Sequence, residues 1–374
     1  MVKFIHTADV HLGREFDQFD ERGEERREDI RLTFRRIACL AVEKGIDLFL
    51  ISGDLFNSPN PSKKDLEFVF ETFRMLRDNN VVIFIIPGNH DYYIPNGIWD
   101  REFNSLGGNL HIFTSPRFET IDLEHFKVSV VGCAYNRNQS NFRLLENPEL
   151  KFSQQNSILL FHGSYEYPNQ EYQDQPFSLE ELKRLPFNYI ALGHYHRHMG
   201  IFSEEKKACF YPGAPEGLNL DERNAGKRCV ILGEISDRGE VNITIEEVQR
   251  KIIEILNIDC TRFQEKGALE MKIRGHAGDN KILKLNLTGK PTMDILETID
   301  ELQERFSGYF YMLKINKNRL DTPMDIPVDP RFIIGRFCRK LEDQIDRTEN
   351  EEEKQLLKVA LNLGINAIRE AEKR

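Results

Sequence analysis

Apolar positions follow two rhythms along the chain. Up to about residue 250, short runs apolar on both faces alternate with helical patterns. Val2–Thr7, Asp47–Ser52, Val81–Ile86, Val128–Gly132, Ser157–Phe161 and Tyr189–Leu192 are rich in β-branched and aromatic residues and predict buried strands. Helical patterns over Glu24–Lys44 and Lys63–Asn79 separate the first three, and Leu66, Val69, Phe70, Phe73 and Leu76 recur at helical spacing in the second. Strands buried on both faces and alternating with helices predict a layered α/β core. Lys227–Ile235 and Glu240–Glu247, joined by Ser236-Asp237-Arg238-Gly239, predict a hairpin.

After Arg250 the rhythm changes. Ala268–Arg274 and Lys281–Thr288 alternate like strands, Met293–Phe306 is helical, and Tyr309–Ile315 alternates again. These elements predict a small α+β unit over residues 251–324. Pro323, Pro327 and Pro330 then punctuate a linker. Two helices follow, Pro330–Asp346 and Glu351–Lys373; Pro330 suits a first turn, and Asn350 before three glutamates suits an N-cap. Three domains are therefore expected: 1–250, 251–324 and 325–374.

Composition agrees with several domains, since 374 residues exceed the roughly 250–300 at which one core stops growing. Hydrophobic residues at 40% and charged residues at 30% exclude collagen-like, mucin-like and wholly disordered chains. No apolar run approaches the ~18–20 residues of a membrane span. The first residues reach His6 and Asp9 too soon for a secretory signal, so a cytoplasmic protein is expected. Six scattered cysteines form neither a CxxC nor a short-spaced pair, which argues against a zinc ribbon or a disulfide framework. The net charge of −10 does not point to nucleic acid. Its distribution matters more: residues 251–324 hold 12 cations against 11 acids and 325–374 hold 10 against 11, so the acidic surplus lies before residue 251.

Chemistry gathers where the strands end. The first runs into Asp9-Val10-His11, the second into Gly53-Asp54 and the third into Gly88-Asn89-His90-Asp91. Two later strands end at His162-Gly163 and Gly193-His194-Tyr195-His196. Open α/β sheets place their sites at such an edge. In extended chain, residues i and i+2 point the same way, so Asp9/His11 and His194/His196 each present two donors together. Asp9, His11, Asp54, Asn89, His162, His194 and His196 are too many donors for one tetrahedral ion. They suit two divalent ions about 3.5–4 Å apart that share one carboxylate, with Asp54 the natural bridge.

Four imidazoles make the set too nitrogen-rich for magnesium or calcium, leaving manganese, iron, zinc and cobalt. Two dications on two carboxylates leave a positive site, which attracts a phosphate ester for in-line attack by a metal-bound hydroxide. His90, beside a donor but assigned no metal, is placed to act as general acid or electrostatic stabiliser at the leaving oxygen. Arg14 could meet a substrate phosphate or pair with a nearby acid, and Asp91 reads as orienting its loop. His6 reads as packed, His198 as a brace or a surface group, and His111, His125 and His276 as loop or surface residues.

Asp9-x-His11, Gly53-Asp54, Gly88-Asn89-His90-Asp91, His162 and Gly193-His194-x-His196 together resemble the calcineurin-like metallophosphoesterase superfamily. The resemblance implies a two-sheet β-sandwich flanked by helices. It also implies a ligand assignment: Asp9, His11, Asp54 and His196 for one metal, and Asp54, Asn89, His162 and His194 for the other. His6-Thr7-Ala8-Asp9-Val10-His11-Leu12-Gly13-Arg14, Ser52-Gly53-Asp54-Leu55-Phe56 and Tyr211-Pro212-Gly213-Ala214-Pro215 narrow it. With the order of the further domains, they resemble the bacterial SbcD-type nucleases, counterparts of the meiotic-recombination-eleven nuclease family of double-strand-break repair. That likeness implies manganese-dependent exonuclease and endonuclease action on double- and single-stranded DNA, in the nucleoid. It further implies a homodimer, a DNA-capping domain over 251–324, and a C-terminal helix pair that binds an SbcC-type SMC-like ATPase. One departure stands out: Asn57 occupies the place where relatives carry His or protein phosphatases carry Asp. Asn57 can hydrogen-bond His90 or a phosphate oxygen but cannot carry charge. With Asp91 where those phosphatases have Glu, it argues against a phosphoprotein phosphatase.

Three further features bear on partners. Phe68, Val69, Phe70, Phe73 and Met75 give the Lys63–Asn79 helix more apolar surface than one sheet face covers, which fits a dimer contact. Lys272, Arg274, Lys281, Lys284, Lys290, Lys314 and Lys317 are expected on or beside strands of the capping unit, where they could grip a DNA backbone or form a solvated face. The stripe Ile333, Ile334, Phe337, Cys338, Leu341 and Ile345, with an even more apolar last helix, leaves surface to spare once the two helices pair. The competing function is a phosphodiesterase or phosphomonoesterase for small molecules, which has no evident use for the last 50 residues.

Overall fold

The computed structural model describes the chain except residues 104–106, 136, 138–140, 167–173, 322–331, 349 and 373–374. It divides into two compact units, Met1–Lys251 and Ile252–Arg374. The first unit runs β1 (Val2–Thr7), α1 (Gly23–Glu43), β2 (Leu48–Ser52), α2 (Lys63–Asp78), β3 (Val82–Ile86), α3 (Ile98–Arg101) and β4 (Leu110–Ile112). There follow β5 (Glu119–Leu123), β6 (Val128–Gly132), β7 (Asn156–His162), α4 (Leu179–Arg184), β8 (Tyr189–Gly193), β9 (Met199–Glu204) and β10 (Lys207–Tyr211). A hairpin, β11 (Cys229–Ile235) and β12 (Val241–Glu247), completes it.

These strands build two six-stranded sheets, ordered β12-β11-β1-β2-β3-β4 and β5-β6-β7-β8-β10-β9. In the first, β1 to β4 are parallel and the hairpin adds antiparallel to β1. In the second, β6, β7, β8 and β10 are parallel, with β5 and β9 antiparallel at the edges. Alternation within each strand explains the packing. Leu48, Leu50, Phe84, Val130, Leu160 and Ala191 face the space between the sheets. Phe49, one residue out of phase, meets Phe34 of α1 with ring centroids 6.1 Å apart, and Phe34 in turn meets Phe73 of α2 at 6.3 Å. Leu159, Phe161, Ile190 and Leu192 form a separate cluster with Phe177 and Leu182. Both faces are thus buried, which is why these strands read as unbroken apolar runs. Register then aligns their ends: Ser52 pairs with Ile86, and His162 with Gly193.

The second unit runs β13 (Ile252–Asp259), α5 (Lys266–Arg274), β14 (Gly278–Gly289), α6 (Met293–Phe306) and β15 (Phe310–Leu320), then α7 (Ile333–Arg347) and α8 (Glu351–Glu372). Its three strands are parallel in the order β13-β14-β15. Leu283, Leu285 and Leu287 of β14 pack on Leu269 and Ile273 of α5 and on Ile295, Ile299 and Leu302 of α6. One expected strand is a helix. Across 268–274 the alternation of Leu269, Met271 and Ile273 mimics a strand, yet Leu269 and Ile273 are buried four residues apart while Met271 is 74% exposed. Cys338 and Ile345 of α7 pack on Leu361 and Ile365 of α8, and α8 also lies against β15. The proline linker and its boundary after Met324 lie outside the described residues. Among the described residues no helix is long and apolar enough to cross a membrane.

Candidate metal centre

The backbone beyond β1 and β2 continues the sheet in miniature. Asp9 N–H donates to Gly53 O at 3.1 Å, His11 N–H to Asp54 O at 3.0 Å and Leu12 N–H to Leu55 O at 2.9 Å. To make these bonds while turning their side chains together, Asp9 (φ 53°), His11 (φ 54°) and Asp54 (φ 52°) adopt left-handed backbone, as does His194 (φ 116°). Such conformations cost side-chain-bearing residues on the order of 1–3 kcal/mol each and persist where surrounding structure enforces them. Two glycines make the approach possible. A Cβ on Gly193 would sit on the Ser52 carbonyl oxygen, and one on Gly53 (φ 90°) would strike His162 Nδ1.

Hydrogen bonds set the histidine tautomers. His162 Nδ1 lies 2.8 Å from Ser52 O, a carbonyl that only accepts, so Nδ1 carries the proton and Nε2 presents a lone pair. Asn57 Oδ1 accepts from Arg14 Nη1 at 3.4 Å, so it must also accept from His11 Nδ1 at 3.2 Å. The bare Nε2 atoms of His11 and His162 then each lie 3.6 Å from Asp54 Oδ2. His11 Nε2 is also 3.1 Å from His196 Nε2, and His162 Nε2 is 2.9 Å from Asn89 Oδ1, which is 3.3 Å from His194 Nδ1. Lone pairs facing lone pairs are what cations satisfy. The donor set therefore fits metal: Asp9/His11/His196, His11/Asp54/His90 and Asp9/Asp54/His162 each bring three donor atoms within 4.8 Å of one another.

Electrostatics agree. Burial pushes His162 down to about 4, and His194 and His196 to about 3, keeping all three neutral. Burial and then the nearby His196 hold His11 well below the usual imidazole range. Burial likewise lifts Asp54 to about 6, and burial followed by the Asp54 charge lifts Asp9 well above the carboxylate range. Neutral imidazoles and reluctant carboxylates share one remedy, a buried positive charge.

The structure thus brings together Asp9, His11, Asp54, Asn89, His162, His194 and His196 at the ends of strands from both sheets. His90 joins them: its ring centroid is 4.7 Å from that of His11, and its N–H donates to Asp54 Oδ1 at 2.8 Å. Among the described residues the hydrogen bonds of the Asn57 side chain go to His11 and Arg14 and not to His90, which places it behind His11. Asp91 is buried and ties the two loops, accepting from Gly88 N at 2.7 Å and Phe56 N at 3.0 Å.

Among the described residues no metal-donor cluster includes the remaining histidines. His6 meets the Tyr189 hydroxyl at 2.8 Å, and His198 Nδ1 donates to Tyr211 O at 3.1 Å. His111 lies on β4, stacked on Phe84, rather than in a loop. Arg228 was not singled out from sequence. Its guanidinium donates to His196 O at 2.6 Å, an oxygen that also accepts Ala214 N–H at 3.0 Å. The Tyr211–Pro215 motif marks only the Ala214 half of this brace, and no motif marks Arg228.

The calcineurin-like phosphoesterase family model matches residues 2–198, just over half the chain and all the donors. The chain belongs to the calcineurin-like phosphoesterase family. It is a metal-dependent phosphoesterase whose Asp/His cluster suits two divalent ions. Among curated relatives of this calcineurin-like phosphoesterase is the "uncharacterized metallophosphoesterase YhaO" of Bacillus subtilis, 26% identical over 93% of this chain and 82% of that protein. The "DNA double-strand break repair protein Mre11" of Archaeoglobus fulgidus is 31% identical over 59% of this chain and 52% of that protein. The same-named protein of Methanocaldococcus jannaschii is 24% identical over 88% of this chain and 84% of its own.

Proposed function

We propose that this phosphoesterase is a DNA nuclease of the SbcD and Mre11 kind, acting as exonuclease and endonuclease in double-strand-break repair. The observation that carries the reading is the extent of the likeness. The match to a DNA double-strand break repair protein covers 88% of this chain, so it passes beyond Lys251 into the second unit. An enzyme for small esters has no evident use for that unit.

In this reading Asp9, His11, Asp54 and His196 hold one ion, and Asp54, Asn89, His162 and His194 the other, with manganese the metal. Two such ions supply Lewis acidity toward the phosphate oxygens and an activated water. The chain's own part is to aim. Ser52 O and Asn57 Oδ1 keep His162 and His11 presenting bare Nε2 atoms, and Arg228 fixes the turn that carries His196. His90 protonates or stabilises the leaving oxygen.

The second unit contributes partners. Residues 251–324 cap the DNA, and 330–374 bind an SbcC-type SMC-like ATPase, to which Phe332, Ile333, Leu356 and Leu363 offer exposed apolar surface. The half-buried Phe68, Phe70 and Met75 of α2 support a homodimer through that helix.

The test pairs two substrates with one variant. The wild type should nick plasmid DNA with manganese, and His90→Gln should keep both metals by elemental analysis while losing about 10²–10⁴-fold in turnover. Turnover of a chromogenic phosphodiester without nicking would move the protein to the small-ester reading. Loss of a metal in His90→Gln would make His90 a ligand, as its place among the donors allows.

A further inference from the structure

Arg14 lies beside the metal cluster in a setting the donor geometry does not account for. It lines a cleft of about 540 Å³ with Leu12, Gly13, Asn57, Asn60 and Ser62. Asn57 links this cleft to the metal cluster, because its Oδ1 accepts from both Arg14 and His11. The guanidinium is held but not neutralised. Nη2 donates to Asn219 Oδ1 at 2.8 Å and Nη1 to Asn57 Oδ1 at 3.4 Å, and both acceptors are uncharged amides. Asn219 is itself fixed by Gln18 Nε2 at 2.6 Å, and Gln18 Oε1 accepts the Leu220 N–H at 2.9 Å.

Among the described residues no carboxylate oxygen comes within 4.0 Å of Arg14. The acids nearby are otherwise engaged or more remote. Asp65, on the same cleft, is bound by Arg31 at 2.8 Å and by the Ser62 hydroxyl at 2.5 Å. Glu15 points to solvent at the rim, and Asp221 acts on Arg14 only through its field. The sequence left open whether Arg14 pairs with an acid or with substrate, and no acid takes it.

A guanidinium fixed by amides, with N–H donors to spare and no carboxylate in contact, is prepared for a phosphate. We propose that Arg14 grips a phosphate that is not cleaved, the one flanking the scissile bond, and so selects polymeric phosphodiesters over single esters at this centre. This deepens the nuclease reading and rests on it. Arg14 is a specificity residue in this role; the bond broken and the groups that break it are unchanged.

The experiment compares kcat/KM on bis(p-nitrophenyl) phosphate, which has one phosphate, with that on a short single-stranded oligonucleotide. Wild type, Arg14→Gln and Arg14→Lys are measured as full-length manganese-loaded protein, with thermal melts confirming folding. In Arg14→Gln the ratio of oligonucleotide to single-ester kcat/KM should fall about 10–100-fold, chiefly through KM. Arg14→Lys should recover part of that ratio. The slope of log affinity against log salt for the oligonucleotide should shrink by about 0.7, one phosphate's worth. An unchanged ratio overturns the proposal: losses on both substrates would place Arg14 behind His11 or on the scissile phosphate. No loss on either would leave it bracing the Asn219 loop. Failure of the nuclease reading looks different, since the wild type itself would then turn over the single ester and spare the oligonucleotide.

Discussion

The metal end of the first unit and the whole second unit are both built on parallel strands, yet they are held in opposite ways. At the metal end almost every donor answers to several constraints. Asp9 receives the His194 N–H at 3.0 Å, donates its own N–H to Gly53 O at 3.1 Å and sits in left-handed backbone. His162 is locked by a buried carbonyl and faces a glycine that admits no Cβ. In the second unit the constraint is apolar packing, Leu283, Leu285 and Leu287 against α5 and α6 and Cys338 and Ile345 against α8, and its polar groups pair at the surface. Lys281 meets Glu254 at 2.8 Å, a carboxylate that His276 also meets at 3.0 Å, and Lys317 meets Asp300 at 2.8 Å, all partly or largely exposed. The lesson concerns where strain is stored. Convergent chemistry requires backbone that the chain would otherwise avoid, and neighbouring groups must over-determine it. A unit without that demand relies on packing and leaves its surface free to change.

The strongest way to break the contrast is one methyl group placed in each region. Gly193→Ala puts a Cβ onto the Ser52 carbonyl oxygen and beside His162 Nδ1, displacing the loop that carries His194 and His196. Turnover should fall by about 10²-fold or more, with less metal bound per chain by elemental analysis. Gly267→Ala meets nothing within 4 Å and lies in α5, so it should stabilise by about 0.5–1 kcal/mol in a denaturant melt. Similar responses from both variants would end the distinction.

A smaller effect tests whether bracing reaches one step behind the donors. Asn57→Ala removes the oxygen that fixes His11 Nδ1–H. Metal affinity should drop about 10–100-fold in a manganese titration, as expected when the group orienting a ligating histidine is lost. Asn57→Asp keeps an acceptor there and should retain most of the affinity. Wild-type affinity in Asn57→Ala would show that burial alone orients His11.

Sequence reading succeeded and failed for reasons that follow the same division. The donors were legible because strand, glycine and paired i,i+2 donors are local features, visible in stretches such as Gly193-His194-Tyr195-His196. The brace was not. Arg228 is 32 residues from the His196 carbonyl it holds, and nothing in its own surroundings announces the bond. Asn57 is legible as a site residue through its place three residues after Asp54, with His90 or a phosphate oxygen as expected partners, but its side chain meets His11 and Arg14 instead, because the sequence gives the position and not the direction. In the second unit α5 reads as a strand because Met271 completes an alternation that its exposure disowns. The strand Ile252–Asp259 does not stand out from its surroundings, and β4, β5 and β9 are edge strands with few or no buried side chains, whereas β10 lies inside its sheet with Ala208, Cys209, Phe210 and Tyr211 buried and is simply missed. The proline pattern between the last two modules falls on residues outside those described.

The gentlest prediction concerns surface the second unit leaves uncovered. Leu356 is 69% exposed and Leu363 is 53% exposed on α8, whereas Leu361 and Ile365 of the same helix are buried against α7. Were the exposed leucines part of the unit's own packing, replacing them would cost as much as replacing the buried pair. Leu361→Ala should cost about 2–4 kcal/mol through the cavity it leaves. Leu356→Ser with Leu363→Ser should change stability by about 0.5 kcal/mol or less in the same denaturant melt, because neither side chain gives up much burial. Metal-dependent turnover should be unaffected by the double substitution, since the donors all lie in the first unit. The quantity expected to move is association with an SbcC-type ATPase in co-purification, because apolar surface kept in water at a cost is surface available to a partner. A double variant that is destabilised like Leu361→Ala, yet still captures the ATPase, would assign these leucines to the unit's own core.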